Sequence, residues 1–174
     1  MGIQFETDYN METLTAMAKS LRKTVRKKRS RRVHIFAAVV LILGLLTILA
    51  TTAGGEPLGA SGVVTLLAML VVILVSLFED KLNAWFARKR LLPGTEHAVA
   101  TFEEDGYVLA TGVTESRFSY AQIVAVAETA RYFVFALSSH HTQAYDKRNI
   151  RGGSVEDFRA FIAEKTGKLV ENIK

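Results

Sequence analysis

Val33-His-Ile-Phe-Ala-Ala-Val-Val-Leu-Ile-Leu-Gly-Leu-Leu-Thr-Ile-Leu-Ala-Thr-Thr-Ala53 and Leu58-Gly-Ala-Ser-Gly-Val-Val-Thr-Leu-Leu-Ala-Met-Leu-Val-Val-Ile-Leu-Val-Ser-Leu-Phe78 are apolar runs of 21 residues each, separated only by Gly54-Gly55-Glu56-Pro57. Neither contains Asp, Glu, Lys or Arg. At about 1.5 Å per residue each makes a helix about 31 Å long, the thickness of a bilayer's hydrocarbon core. The connection at 54–57 is too short to do anything but reverse the chain at its glycines and proline. The reading is a transmembrane hairpin, helix 33–53 and helix 58–78, with both chain ends on one side. A cleaved secretory signal fits poorly, because the first run is too long and a second follows at once.

The flanks set the orientation. Arg22, Lys23, Arg26, Lys27, Lys28, Arg29, Arg31 and Arg32 precede the first run, and Lys81, Arg88, Lys89 and Arg90 follow the second. The connection offers only Glu56. Lys/Arg excess on the flanks assigns them to the cytoplasm, and both termini with them. A cluster of this density beside a span orients it and attracts anionic lipid headgroups. The formal net charge of +5 is therefore unevenly spread: residues 1–32 carry +6, residues 33–93 carry +1 and residues 94–174 carry −2. A basic stripe on the folded domain, the footprint of a nucleic-acid binder, is missing.

Outside the hairpin, residues 1–32 read as a short strand at Gly2–Glu6, an N-cap at Thr7 or Asp8, and an amphipathic helix with Met11, Leu14, Ala18, Leu21 and Val25 on one face. With no Gly or Pro between 8 and 32, this helix is expected to run unbroken into the first span. Residues 79–93 read as a cytoplasmic extension of the second helix, with Trp85 and Phe86 at the interface, stopped by Pro93-Gly94.

Beyond it, residues 94–174 show short β-rich runs at 98–102, 107–110, 114–120, 123–127, 132–137 and 143–145, parted by turn residues such as Asp105-Gly106. Ser154 and Asp157 form a capping box for one final helix, whose apolar face is Val155, Phe158, Phe161 and Ile162 and whose end is Gly167. An antiparallel meander closed by one C-terminal helix is the layout of pleckstrin-homology-like domains. The fold class is thus α+β: a transmembrane hairpin with a small helix-capped half-barrel.

Phe5 with Asp8-Tyr9, Asp105-Gly106, Phe118-Ser119-Tyr120-Ala121-Gln122-Ile123 leading to Val126 and Glu128, Tyr132-Phe133-Val134, Asp146-Lys147-Arg148 and Asp157-Phe158 together resemble the bacterial YcxB-like membrane proteins. The usual aromatic before the Tyr120 position is here Phe118, two residues upstream, and Asp146 stands where a Pro is usual. The resemblance implies the same topology and a cytoplasmic-membrane location, and it implies no reaction.

The candidate chemistry is sparse. The chain has no cysteine, which removes disulfides, thiolate metal sites and Cys nucleophiles. His140-His141, with His97 and Asp146, are the ligand types for a metal, but Ser138–Thr142 reads as an exposed hairpin turn. Glu103-Glu104-Asp105 is an acidic turn able to pair with Arg131 or the juxtamembrane cations. Lys147, Arg148 and Arg151 precede a helix N-terminus and are the candidate contacts for an anion or partner. Gly44, Thr47, Gly59, Ser61, Gly62, Thr65 and Ser76 are the small or weakly polar features of the spans, and Gly59, Ser61, Gly62 and Thr65 suit close helix packing. The expectation is no enzyme, no cofactor and no metal: an adaptor module of a bacterial inner membrane that contacts lipid and a protein partner, or another copy of itself. A protective or immunity protein against a toxin is the alternative.

Overall fold

Ile3–Asp8 alternates buried Ile3, Phe5 and Thr7 with more exposed Gln4, Glu6 and Asp8, the period of a strand with one face in a core. This strand, β1, lies inside a sheet. It pairs antiparallel with β2 (His97–Phe102) from Ile3↔Phe102 to Asp8↔His97, and its other edge takes β8 (Ile150–Arg151). With β3 (Tyr107–Thr111) and β4 (Glu115–Phe118) the order is β4-β3-β2-β1-β8. A second sheet, β7-β6-β5-β9, is built from β5 (Ala125–Glu128), β6 (Tyr132–Ala136), β7 (Thr142–Asp146) and β9 (Val170–Asn172). All its pairs are antiparallel except β5 with β9.

The structure, a computed structural model, describes residues 2–55 and 57–173. The chain divides into two compact units, Met1–Lys27 with Asn83–Lys174, and Lys28–Leu82. The small domain expected at 94–174 takes a central strand of its sheet from residues 3–8, a pairing the sequence leaves open. The chain does not close on its helix: α5 (Val155–Thr166) ends at Gly167, as its sequence predicts, and β9 follows. α5 has the expected capping box, with the Ser154 hydroxyl accepting from Asp157 N–H and the Asp157 carboxylate accepting from Ser154 N–H.

Between the sheets and α5 sits a core of rings. Phe5 packs on Phe102, Phe133, Tyr145 and Phe158 at centroid distances of 5.8, 6.4, 5.8 and 4.6 Å, mostly edge to face. One buried polar group joins them: Gln143 Oε1 accepts from the hydroxyls of Tyr107 and Tyr145, each at 2.7 Å. Its Nε2 has no partner among the described residues.

α1 (Met11–Lys23) lays Ala16 and Met17 on Ala127, Tyr132, Val134, Ala144 and Ile173. Its cap is Asn10, whose side chain accepts from Glu12 and Thr13 N–H. Thr7, one of the expected caps, instead accepts from Asp146 N–H across the sheets, and Asp8 engages His97. The helix also stops where no Gly or Pro stops it. Thr24 Oγ1 donates to Ser20 O, Arg26 N–H reaches Leu21 O, and the Arg26 guanidinium donates to Ser139 O at 2.6 Å and His140 Nδ1 at 2.8 Å. Those contacts hold residues 24–26 as a turn.

In the second unit, α2 (Lys27–Ala53) and α3 (Ala60–Leu77) are long and apolar enough to cross a membrane. α2 begins six residues before the expected span and takes Lys27 to Arg32 into the helix. Gly55 has φ +76°, a backbone that glycine adopts without cost; Glu56, the expected lone charge of the connection, lies outside the described residues. The close approach comes at Gly44, where a Cβ would lie 2.8 Å from Met69 Sδ and 3.6 Å from Thr65 Cγ2; at Gly59 nothing is near, and at Gly62 only the neighbouring Leu58. α4 (Glu79–Lys89) follows Phe78.

Candidate functional site

The ion pairs of the first unit decide which charges remain available. Glu128, on β5 and only 4% exposed, accepts from Lys147 Nζ at 2.9 Å and from Arg159 Nε and Nη2 at 2.7 and 2.8 Å. The Arg159 hydrogen bond, followed by Lys147, holds its carboxyl below the usual range against the opposing effect of burial. Asp146, 3% exposed at the end of β7, accepts from Arg131 Nε and Nη2 at 2.9 and 2.8 Å and from Arg148 Nη2 at 3.1 Å. Arg151 pairs with Glu6 at 3.1 Å.

Lys147, Arg148 and Arg151, the expected anion or partner contacts, are each engaged within the fold. Each pairs with a different carboxylate, and at the α5 N-terminus the Ser154 N–H donates to Asp157. The acidic turn is also spoken for, though not by the expected partners: Glu103 meets Arg117 at 3.2 Å and Glu104 meets Lys165, while Arg131 binds Glu12 and Asp146. The Lys165 contact holds Glu104 below the usual carboxylate range.

The histidines are dispersed. His140-His141 lie in the exposed turn between β6 and β7, His140 engaged with Arg26, and His97 Nδ1 is 2.7 Å from Asp8 on the neighbouring strand. Among the described residues no three His, Cys, Asp or Glu side chains come together to hold a metal ion. His34, inside the first apolar run, is the titratable group that the sequence reading overlooked. Its Nδ1 is 2.8 Å from Ser30 O, and its Nε2 3.7 Å from Glu79. The signal was its single imidazole among apolar neighbours.

The cations beside the apolar helices behave differently. Arg22 and Lys23 close α1, Arg26 is tied to the β6–β7 turn, and Lys27, Lys28, Arg29, Arg31 and Arg32 open α2. On the other flank Arg88, Lys89 and Arg90 have no carboxylate partner among the described residues; Lys89 Nζ sits 3.6 Å over the Trp85 ring. Arg88 also lines a cleft of about 430 Å³ with Tyr9, Asn10, Leu91, Glu96 and the Asp8–His97 pair. Tyr9 there is pushed up to about 12 by desolvation, offset in part by its hydrogen bond to the Ala144 backbone.

Residues 102–162 match the family model described as YcxB-like protein, in agreement with the resemblance read from Phe118 to Tyr120, Tyr132 to Val134 and Asp157-Phe158. The match runs from the last residue of β2 to Ile162 in α5 and does not include β1, α1 or the apolar helices. No curated protein and no solved structure matches the chain.

Proposed function

Starting from a YcxB-like stretch in a chain that also carries two membrane-length helices, we propose a two-span inner-membrane protein that holds a small pleckstrin-homology-like module at the cytoplasmic face as an adaptor. The observation that carries this reading is the β1–β2 ladder. β1 precedes both apolar helices and β2 follows them, and the strands pair over six residues. A chain that leaves one folded unit and returns to it crosses a membrane an even number of times, so one hairpin satisfies the sheet and the bilayer together. The flanking Lys and Arg then direct that unit inward.

The two sheets with α5 over the ring core support the pleckstrin-homology-like reading of the module. Its described interior is filled with aromatic side chains, and the charged groups near α5 are paired with one another, which suits a scaffold that presents a surface more than a catalyst. Confinement at the membrane raises its effective concentration toward any membrane-bound partner without new contacts.

Two experiments test this. Because the chain has no cysteine, Gly54→Cys and Leu169→Cys report topology with a membrane-impermeant maleimide in intact cells. Labelling at position 54 alone supports the reading; labelling at 169, or at both, overturns it. Affinity purification of the full chain in mild detergent, with mass spectrometry of proteins and lipids, tests the adaptor role. A stoichiometric partner is expected, and its absence across repeated preparations counts against it.

A further inference from the structure

Two tight turns of the first unit clasp each other and leave aliphatic side chains in solvent. The β3–β4 turn closes with Thr111 N–H to Thr114 O at 2.8 Å, and the turn after α4 with Thr95 N–H to Leu92 O at 3.1 Å. Gly112 N–H donates to Gly94 O at 2.9 Å. Gly94 has φ +85°, and a Cβ there would come within 2.7 Å of Val113 Cγ1, so glycine permits both the conformation and the contact. Leu92 and Val113 remain 69% and 59% exposed.

We infer that this Leu92–Val113 tip docks on the surface of an anionic bilayer, a membrane contact of the module separate from its two helical tethers. The inference rests on the membrane-anchored reading above. Chain continuity and charge select lipid as the occupant. Leu92 lies three residues beyond α4, whose exposed Leu82, Trp85 and Phe86 recur at the spacing of one helical face, while Ala84 is buried. Aromatic and aliphatic side chains on such a face, beside Lys81, Arg88 and Lys89, make the composition of an interfacial helix.

Arg88 and Arg90 precede Leu92 by four and two residues, within about 14 Å at full extension. At this end the cations Arg88, Lys89 and Arg90 equal the acids Asp8, Glu96 and Glu115 in number, with Asp8 engaged by His97 and the Glu96 carboxylate accepting from Gly94 N–H. The other end of β3, about 17 Å away, has Glu103, Glu104 and Asp105 against Arg117 and Lys165. An anionic surface favours the first end over the second.

The test uses the full chain in nanodiscs containing phosphatidylglycerol, with an environment-sensitive fluorophore on single cysteines and a nitroxide quencher on the lipid. The positions are Val113→Cys, Asp105→Cys at the opposite end of β3, and Leu43→Cys within α2. Strong quenching at 43 and 113 with little at 105, and loss of the signal at 113 in zwitterionic lipid, is expected. Quenching at 43 but not at 113 overturns the tip contact and leaves the anchored reading intact; equal quenching at 113 and 105 also overturns it. No quenching at 43 overturns both.

Discussion

Every Lys and Arg from Arg117 to Lys165 is held by a carboxylate of its own unit, whereas Arg88, Lys89 and Arg90 at the end of α4 meet none among the described residues. The two sets carry the same charge and differ in what answers it. In the sheet region, charge is consumed by the fold, where Glu128 and Asp146 each bind cations from two positions. Beside the apolar helices it remains available to a surface outside the chain. Pairing therefore discriminates structural from interactive cations where composition alone does not.

That contrast ranks the effects of substitution. The largest loss is expected where β1 enters the core: Phe5→Ala removes a ring packed on four others and costs about 3–5 kcal/mol, measurable as a lowered unfolding midpoint of the full chain in nanodiscs. Next comes Glu128→Ala, which leaves Lys147, 14% exposed, without its carboxylate and frees the more exposed Arg159, at a cost of about 1–3 kcal/mol by the same measurement. Because the folded Glu128 carboxyl is held below its ordinary value of 4.5, its stabilisation is present above that pH and lost as pH falls through the depressed value. Wild type should lose stability over that acid range, and Glu128→Gln should lose less.

Replacing Arg88, Lys89 and Arg90 together by Gln should move the unfolding midpoint little, within about 0.5 kcal/mol. It should nonetheless weaken association with anionic lipid by about 1 kcal/mol per charge, read as fewer phosphatidylglycerol molecules retained in native mass spectrometry. A large fall in stability would mean that these cations belong with the paired set. The smallest effect is expected for Arg151→Ala, whose exposed pair with Glu6 is worth about 0–1 kcal/mol; a larger loss would show that the edge strand β8 depends on it.

Local pattern made much of this legible. The apolar runs declare themselves by composition, the α5 capping box by Ser154 and Asp157, and the β6–β7 turn by Ser138 to His141. Long-range pairing left no such mark. Nothing in Ile3 to Asp8 names a partner nearly a hundred residues away, and three residues at Val170–Asn172 give no periodicity from which to predict a parallel strand. The α1 break at residues 24–26 depends on Arg26 reaching Ser139 and His140, which helix propensity does not record. The pairing of the expected anion contacts was hidden for the same reason: Glu128 and Glu6, which engage Lys147 and Arg151, are remote in sequence.

The most direct test of the account is whether residues before the apolar helices pair with residues after them. Gln4 lies opposite Thr101 in the β1–β2 ladder, and Val108 lies one strand further on. With the full chain in native membranes, mild oxidation of the Gln4→Cys, Thr101→Cys double variant should give an intramolecular disulfide by peptide mass spectrometry, and Gln4→Cys with Val108→Cys should not. Free thiols or only intermolecular cross-links in the first variant would contradict a single sheet built from both sides of the hairpin.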